Sequence, residues 1–297
     1  MKTLPVVAVL GLGAMGHAFA ANLLKSGFTV RGWNRSRARG EDLTAAGLIL
    51  CDSAGQAAGG ADVVISMLTD GDITQRILKT ALSQLRQGAI VCQMGTIGVE
   101  ATQALIADFG RDRPDIVFID APVSGSKAPA ENAQIAILAS GDRHKAAALE
   151  PVFAAISRRQ QWLGPAGGGQ RMKLVVNSYL IGLMQSLAES AALADRLGFS
   201  AETLWGALEG GPLASPYAEG KLGMIARNDF TPQMQLAHAL KDARLALAAA
   251  PDLELSGLQN IASLWQQAAE AGYAEQDLAS VAQFIADARK KGQKTLA

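Results

Sequence analysis

A chain of 297 residues that is 49% hydrophobic and 18% charged carries enough apolar side chain for two medium-sized cores, and two domains are expected. Its 27 basic and 27 acidic residues cancel without any block of like charge, which excludes nucleic acid and an anionic membrane surface as evident partners and favours a small neutral or anionic ligand. The longest charge-free apolar run, Leu174 to Ala188, falls short of the roughly 20 residues of a membrane helix and contains Asn177, Ser178, Gln185 and Ser186, so no membrane span is expected.

The opening "MKTLPVVAVLGLG" holds one lysine and a short apolar run broken by glycines, and it reads as a first strand rather than a leader. Short β-branched runs then alternate with amphipathic stretches such as His17–Ser26 and Ile73–Leu85, the pattern of a parallel sheet covered by helices. Strands are expected at Val6–Leu10, Thr29–Trp33, Asp62–Leu68, Ala89–Met94, Ile116–Ala121, Gln134–Leu138 and Gln161–Leu163. Beyond about Gly164 they stop. Gly168–Arg196 reads as one helix, apolar nearly all round in its middle, which at 1.5 Å per residue would span roughly 40 Å. The remainder is rich in Ala, Leu, Glu and Gln at helical spacing, with breaks at "GGPLASP", "ARNDFTP" and "AAPDLELSG". An α/β domain over 1–165 and an all-helical domain over 166–297, joined by the long helix, are therefore expected. Cys51 and Cys92 form no CxxC and suit packing roles in a reducing cytoplasm. Trp162, Trp205, Trp265, Met172, Met184 and Met224 read as packing residues, and His17, His144 and His238 lack metal-ligand spacing, so no metal is expected.

Within "VVAVLGLGAMGHAFAANLLKSG" the turn Gly11, Leu12, Gly13, Ala14, Met15 and Gly16 has the form G-x-G-x-x-G directly after a strand and at the start of a helix. Glycine permits the tight turn and lets backbone N–H groups approach a pyrophosphate at the positive end of the helix dipole. The second strand ends in "RGWNRS". Where an NAD-selective site would place an acidic residue for the ribose 2′-hydroxyl, this chain has Asn34, Arg35 and Ser36. A guanidinium holds a 2′-phosphate with parallel charge-assisted bonds, so NADP(H) is the expected cofactor; the alternative is that Arg35 only points into solvent. Met67, Leu68 and Thr69, in "SMLTDGD", and Thr96, in "QMGT", close two further strands at the carboxyl edge, where open α/β sheets bind ligands, and should border the nicotinamide half.

"DAPVSGSKAPAENAQIAILASG" follows the fifth strand of the main series. Ser124, Gly125 and Ser126 put two hydroxyls and unhindered N–H groups in one loop, a combination suited to gripping a carboxylate, or else a plain small-residue turn. Then "GGGQRMKLVVN" runs three glycines into the apolar helix. Lys173 and Asn177, four residues apart, lie about 40° from alignment and project from one face. The alternative for Lys173 is a lysine whose stem is buried and whose ammonium stays wet.

Taken in order, "GLGAMG", "DAPVSGS", "GGGQRMKLVVN" and "KDARLAL" resemble the β-hydroxyacid dehydrogenase family over nearly the whole chain. "MLTDGD" and "APVSGSKAPAE" are most similar to its glyoxylate/succinic semialdehyde reductase branch. The resemblance implies a Rossmann-type domain followed by a helical one, homodimers or homotetramers formed through the latter, and reduction of a small aldehyde acid by NADPH. By the same resemblance Lys173 stands at the catalytic lysine and Asn177 at an asparagine that orients substrate. Ser124 and Gly125 stand in the substrate loop, Thr96 near cofactor and substrate, and Lys241 and Asp242 at a pair that reaches toward the cofactor. The branch often reads F-P-L-K-H-x-x-K-D where this chain has "MQLAHALKD", so Met234 and Ala237 depart from it.

A lysine withdrawn from bulk water tends to lose its proton unless something favours the charge, and a substrate carboxylate would do so. Lys173, as ammonium, is then expected to bond the carbonyl oxygen and protonate the developing alkoxide while Asn177 fixes the geometry. Two alternatives are an imine reductase on the same two-domain plan and a non-catalytic dinucleotide-binding module. Imine reductases resemble the chain less, since they usually carry Asp or Tyr at the lysine position and lack "DAPVSGS".

Overall fold

Successive residues of a strand point to opposite faces, and all four of the first strand, β1 (Val7–Leu10), are buried, so its sheet must be covered on both sides. The computed structural model describes residues 4–294, with side chains to 287. Within it the chain divides into two compact units, Met1–Leu174 and Val175–Ala297.

In the first unit β1 is followed by α1 (Ala14–Lys25), β2 (Val30–Trp33), β3 (Ile49–Leu50), α2 (Ala54–Ala58), β4 (Val63–Ser66), α3 (Gly71–Ala81), β5 (Ile90–Gln93), α4 (Val99–Asp112) and β6 (Val117–Asp120). All six strands are parallel, in the order β3-β2-β1-β4-β5-β6. Val7, Val9, Val63, Ile65 and Cys92 face α1 on one side, while Ala8, Leu10, Val64 and Val91 face α2, α3 and α4 on the other. From β1 the chain proceeds one way to β2 and β3; from β4 it proceeds the other way to β5 and β6. The reversal puts a crevice at the carboxyl ends of β1 and β4, which is where the glycine turn and Met67 lie.

A second, three-stranded sheet follows: β7 (Val123–Ser124), a short helix α5 (Lys127–Glu131), β8 (Ile135–Ala139), α6 (Leu149–Ile156) and β9 (Ser157–Trp162). β7 runs antiparallel to β8 and β9 parallel to it. Two features differ from the sequence reading. The segment after β6 is not a continuous loop, because β7 and α5 occupy most of it. The last strand begins four residues earlier than Gln161, because "SRRQ" is the polar start of an edge strand with a bulge at its pairing, and polar residues there give no apolar signal.

The long helix α7 (Gly168–Arg196) starts in the first unit and continues into the second, as its spacing predicts. Helices α8 (Ala201–Leu208), α9 (Pro216–Arg227), α10 (Leu236–Ala249), α11 (Ser256–Ala268) and α12 (Val281–Lys294) complete the second unit. Its core is built around Trp265, fully buried, whose indole N–H donates to Gln185 Oε1 at 2.7 Å. Met184 is buried as expected, but Met172 is not a core residue: it lies on an exposed strip of α7. Cys51 and Cys92 are free and buried, and burial pushes both thiols up. Among the described residues no helix is long and apolar enough to cross a membrane.

Candidate active site

Gly13 caps α1 without a side-chain bond, and helix α1 therefore presents unscreened N–H groups at the carboxyl end of β1. The three glycines of the turn are glycine for different reasons. A Cβ on Gly11 would lie 2.3 Å from the Met67 carbonyl oxygen, and one on Gly16 would lie 1.8 Å from that of Gly11, so both are demanded by packing within the protein. A Cβ on Gly13 would meet nothing within 4 Å. Nothing in the chain bars a side chain there, and a phosphate drawn against the helix terminus would fit that open space.

The end of β2 is tied to this turn. Asn34 Oδ1 accepts the Leu12 N–H at 3.0 Å, and Asn34 Nδ2 donates to the Ser36 carbonyl at 3.0 Å. Both ends of the Asn34 amide are thus engaged, and its part is to shape the cradle. Arg37 is paired with Asp52 at 2.6 Å. Arg35 is exposed, and among the described residues no partner claims its guanidinium. His17 faces Asp42 at 2.8 Å rather than any other titratable group of the turn. Met67 and Leu68 are half-buried beside Gly11, and Thr69 is exposed with its hydroxyl 3.2 Å from the capping residue Asp70.

The start of α7 is fixed by residues that sequence reasoning did not single out. Asp120, fully buried at the end of β6, accepts the Gln170 backbone N–H at 2.8 Å on Oδ2 and the Gln170 amide at 3.2 Å on Oδ1. Ser140 Oγ donates to the same Oδ2 at 3.1 Å and accepts the Gly169 N–H at 2.9 Å. A helix N-terminus is a favourable place for an anion, yet burial dominates here: desolvation raises the Asp120 carboxyl to about 6, with the Gln170 and Ser140 bonds and the Arg171 charge acting against it. Gly169 has no room for a Cβ, which would lie 2.3 Å from the Leu138 carbonyl and 2.9 Å from Asp120 Oδ2. The glycines before Gln170 therefore let the helix terminus press onto the sheet. Gln170 also donates to the Gly95 carbonyl at 2.8 Å and accepts from the N–H groups of Ile97 at 3.1 Å and Gly98 at 3.3 Å, so it brackets Thr96. One turn later Lys173 is buried, with 8% of its surface exposed.

Ser124, half-buried in β7, pairs across to Ala136 of β8. Gly125 follows with φ +136°, and a Cβ there would lie 2.8 Å from Ile135 Cγ2. Ser126 precedes α5 without capping it, so neither serine hydroxyl is claimed by a hydrogen bond among the described residues.

In the second unit Asn177 and Asp242 are buried, and Asn177 Nδ2 donates to Asp242 Oδ2 at 2.6 Å. The other oxygen, Oδ1, lies 2.9 Å from Lys241 Nζ. The aspartate expected to reach toward a ligand is thus held within its own unit by an asparagine and a lysine. His238 lies three residues before Lys241, whose charge, after desolvation, depresses its imidazole pKa. A glutamine directly after a glycine run was the only sequence signal for the Gln170 anchor, and Asp120 was legible only as the first letter of "DAPVSGS".

Comparisons with known proteins agree along the chain. Residues 6–164 match the model for the NAD binding domain of 6-phosphogluconate dehydrogenase, and residues 167–285 match that for NAD-binding of NADP-dependent 3-hydroxyisobutyrate dehydrogenase. The chain is 35% identical over 249 residues to glyoxylate/succinic semialdehyde reductase 1 of Arabidopsis thaliana, covering 82% of this chain and 84% of that one. Among solved structures it is similar to the Mycobacterium tuberculosis 3-hydroxyisobutyrate dehydrogenase with L-serine, at TM-score 0.84 and 28% identity over 95% of this chain and 99% of that one. A structure described as Psf3 in complex with NADP+ and 2-OPP shares the fold at TM-score 0.88 and 22% identity, over 94% of this chain and 100% of that one.

Proposed function

This chain belongs to the NAD(P)-dependent β-hydroxyacid dehydrogenase family, and we propose that it reduces a small aldehyde acid such as glyoxylate or succinic semialdehyde to the hydroxy acid, with NADPH as cofactor. The observation that carries the proposal is the buried Lys173, one turn beyond the anchored start of α7, in the same compact unit as the glycine cradle. NADP(H), when bound, supplies the hydride.

In this reading Gly11 to Gly16 hold the pyrophosphate, Met67, Leu68, Thr69 and Thr96 border the nicotinamide, and Arg35 takes the 2′-phosphate. Arg35 is assigned over Arg37 because Asp52 already neutralises Arg37. Ser124, Gly125 and Ser126 offer hydroxyls and N–H groups to the substrate carboxylate. Lys173, as ammonium, donates a hydrogen bond to the carbonyl oxygen and passes its proton to the alkoxide; in the oxidative direction it accepts that proton. Asn177 gives one Nδ2 hydrogen to Asp242, which Lys241 also faces, and offers its carbonyl oxygen to the ligand. Asp242 thereby acts on substrate through Asn177.

The discriminating experiment measures NADPH and NADH oxidation side by side against glyoxylate and the succinic, tartronic and methylmalonic semialdehydes. Turnover of at least one, faster with NADPH, is expected; no oxidation with any of the four would defeat the reading. Arg35→Ala should raise the KM for NADPH about tenfold or more and leave that for NADH within about twofold, because only the phosphate contact is lost. Equal effects on both cofactors would remove Arg35 from the phosphate site.

The reading extends to a homodimer or homotetramer formed through the helical unit. Val175, Tyr179 and Leu193 on α7, and Leu197 just beyond its end, are 62, 74, 59 and 65% exposed, apolar surface left for water to wet. Light scattering should give a mass of two or four chains; a monomer at micromolar concentration would contradict it.

A further inference from the structure

Gln170 makes more directed bonds than any position in the glycine run requires. Its backbone N–H goes to Asp120 Oδ2 at 2.8 Å. Its side-chain Nε2 is shared between the Gly95 carbonyl at 2.8 Å and Asp120 Oδ1 at 3.2 Å, and its Oε1 receives Ile97 N–H at 3.1 Å and Gly98 N–H at 3.3 Å. The residues it touches lie on both sides of Thr96. Three positions along the same helix stands Lys173.

We propose that Gln170 is a positioning residue that sets the placement of Thr96 relative to Lys173, with the Asp120 carboxylate fixing which way its amide faces. A flipped amide would put Nε2 against two N–H donors and Oε1 against a carbonyl and a carboxylate, so one orientation is selected by four neighbours at once. The network is buried, and loss of the Gln170 amide strips the Ile97 and Gly98 N–H groups of their acceptor, while the Gly95 carbonyl keeps the Gln93 amide as a donor. The loop after β5 therefore moves with the first turn of α7. A general acid and the groups around its target tolerate little misplacement, since a shift of about 1 Å costs on the order of a hundredfold in rate. The assignment of Lys173 and Thr96 to the reaction rests on the function proposed above, whereas the tether between their two segments does not.

The experiment compares the wild type with Q170A and Q170E. Amide hydrogen exchange read at Ile97 and Gly98 tests the tether without reference to any reaction, and it should speed up about tenfold or more in Q170A. In the aldehyde-acid assay Q170A should lower kcat about tenfold or more while the KM for NADPH stays within about threefold, because the glycine cradle is not touched. Q170E retains an acceptor for Ile97 and Gly98 but sets its second oxygen against the Gly95 carbonyl and Asp120. Its kcat relative to wild type should therefore recover as pH falls and that oxygen gains a proton. Asp120 of β6 faces that oxygen, so the ratio reads the titration of the two carboxyls together, while Cys92 of β5 and Arg171 of α7 are common to both proteins. With kcat expressed per folded enzyme, a change in overall stability alone leaves the kcat-against-KM split unmoved. Unaltered exchange at Ile97 and Gly98 in Q170A, or slower turnover matched by an equal rise in the KM for NADPH, would overturn the proposal; if Q170A does not fold, a Q170E kcat ratio that fails to recover as pH falls overturns it. Faster exchange in a protein whose wild type reduces none of the aldehyde acids would sink the functional reading and leave the tether standing.

Discussion

If Lys173 is the proton donor proposed above, Lys173→Ala is expected to lower kcat by about a thousandfold, the middle of the range for losing a positioned general acid, while NADPH affinity changes by less than about threefold. The separation follows from location: the cradle is built by the turn after β1 and the end of β2, and Lys173 belongs to α7. The competing account, a lysine that only packs its stem, requires a wet ammonium. With 8% of its surface exposed, Lys173 fits the first account better. Truncation also leaves a void where a buried side chain stood, so the thermal midpoint falls as well. Lys173→Met separates the two effects, since it fills most of that volume and cannot donate a proton. Kinetics at saturating NADPH, with a fluorescence titration of the cofactor, read both quantities. Turnover within tenfold of wild type in the methionine variant would exclude Lys173 as the proton donor.

The α/β unit was legible because its signals are local. Val7 to Leu10, Val63 to Ser66 and Ile90 to Gln93 are short apolar runs buried on both faces, and each lies within one residue or two of its expected bounds. The long helix was legible for the complementary reason, an apolar surface extending nearly all round. What the sequence concealed are bonds between distant positions. Asp120 and Gln170 are 50 residues apart, and Asn177 and Asp242 are 65 apart. Nothing in "IDAPV" marks an aspartate as buried against a helix that starts far downstream. The roles of Lys241 and Asp242 were read as reaching toward the cofactor, and their geometry adds a nearer task, holding one another and Asn177. Gly13 illustrates the reverse case. Its place in the motif was plain, but only the empty space around its missing Cβ separates it from Gly11 and Gly16.

Lys221→Met destabilises the protein by about 3–5 kcal/mol, the cost of stripping one partner from a buried ion pair. Lys221 lies in "PYAEGKLGMIAR", an ordinary-looking helical segment, yet it is buried on α9 with Nζ 2.6 Å from Asp277 Oδ1. Asp277 is fully buried and heavily used: Oδ1 also accepts the Ala279 N–H at 3.0 Å, and Oδ2 accepts those of Gln233 at 2.9 Å and Met234 at 3.2 Å. Those bonds hold the strap that leads into α10, the helix bearing Lys241 and Asp242. The Tyr217 ring lies 5.8 Å from the ammonium, and burial, together with the Asp277 charge, pushes its phenol up, so it remains neutral and cannot replace the lost cation. Asp277 in the variant thus keeps three N–H donors and loses the Lys221 charge that compensates its own. Removing that charge as well, in K221M/D277N, should recover part of the loss, because a neutral amide still offers one acceptor to the strap. Urea denaturation of the two variants measures the effect. A loss below about 1 kcal/mol for Lys221→Met would place the pair with solvent-exposed ion pairs, whose contributions are of that size.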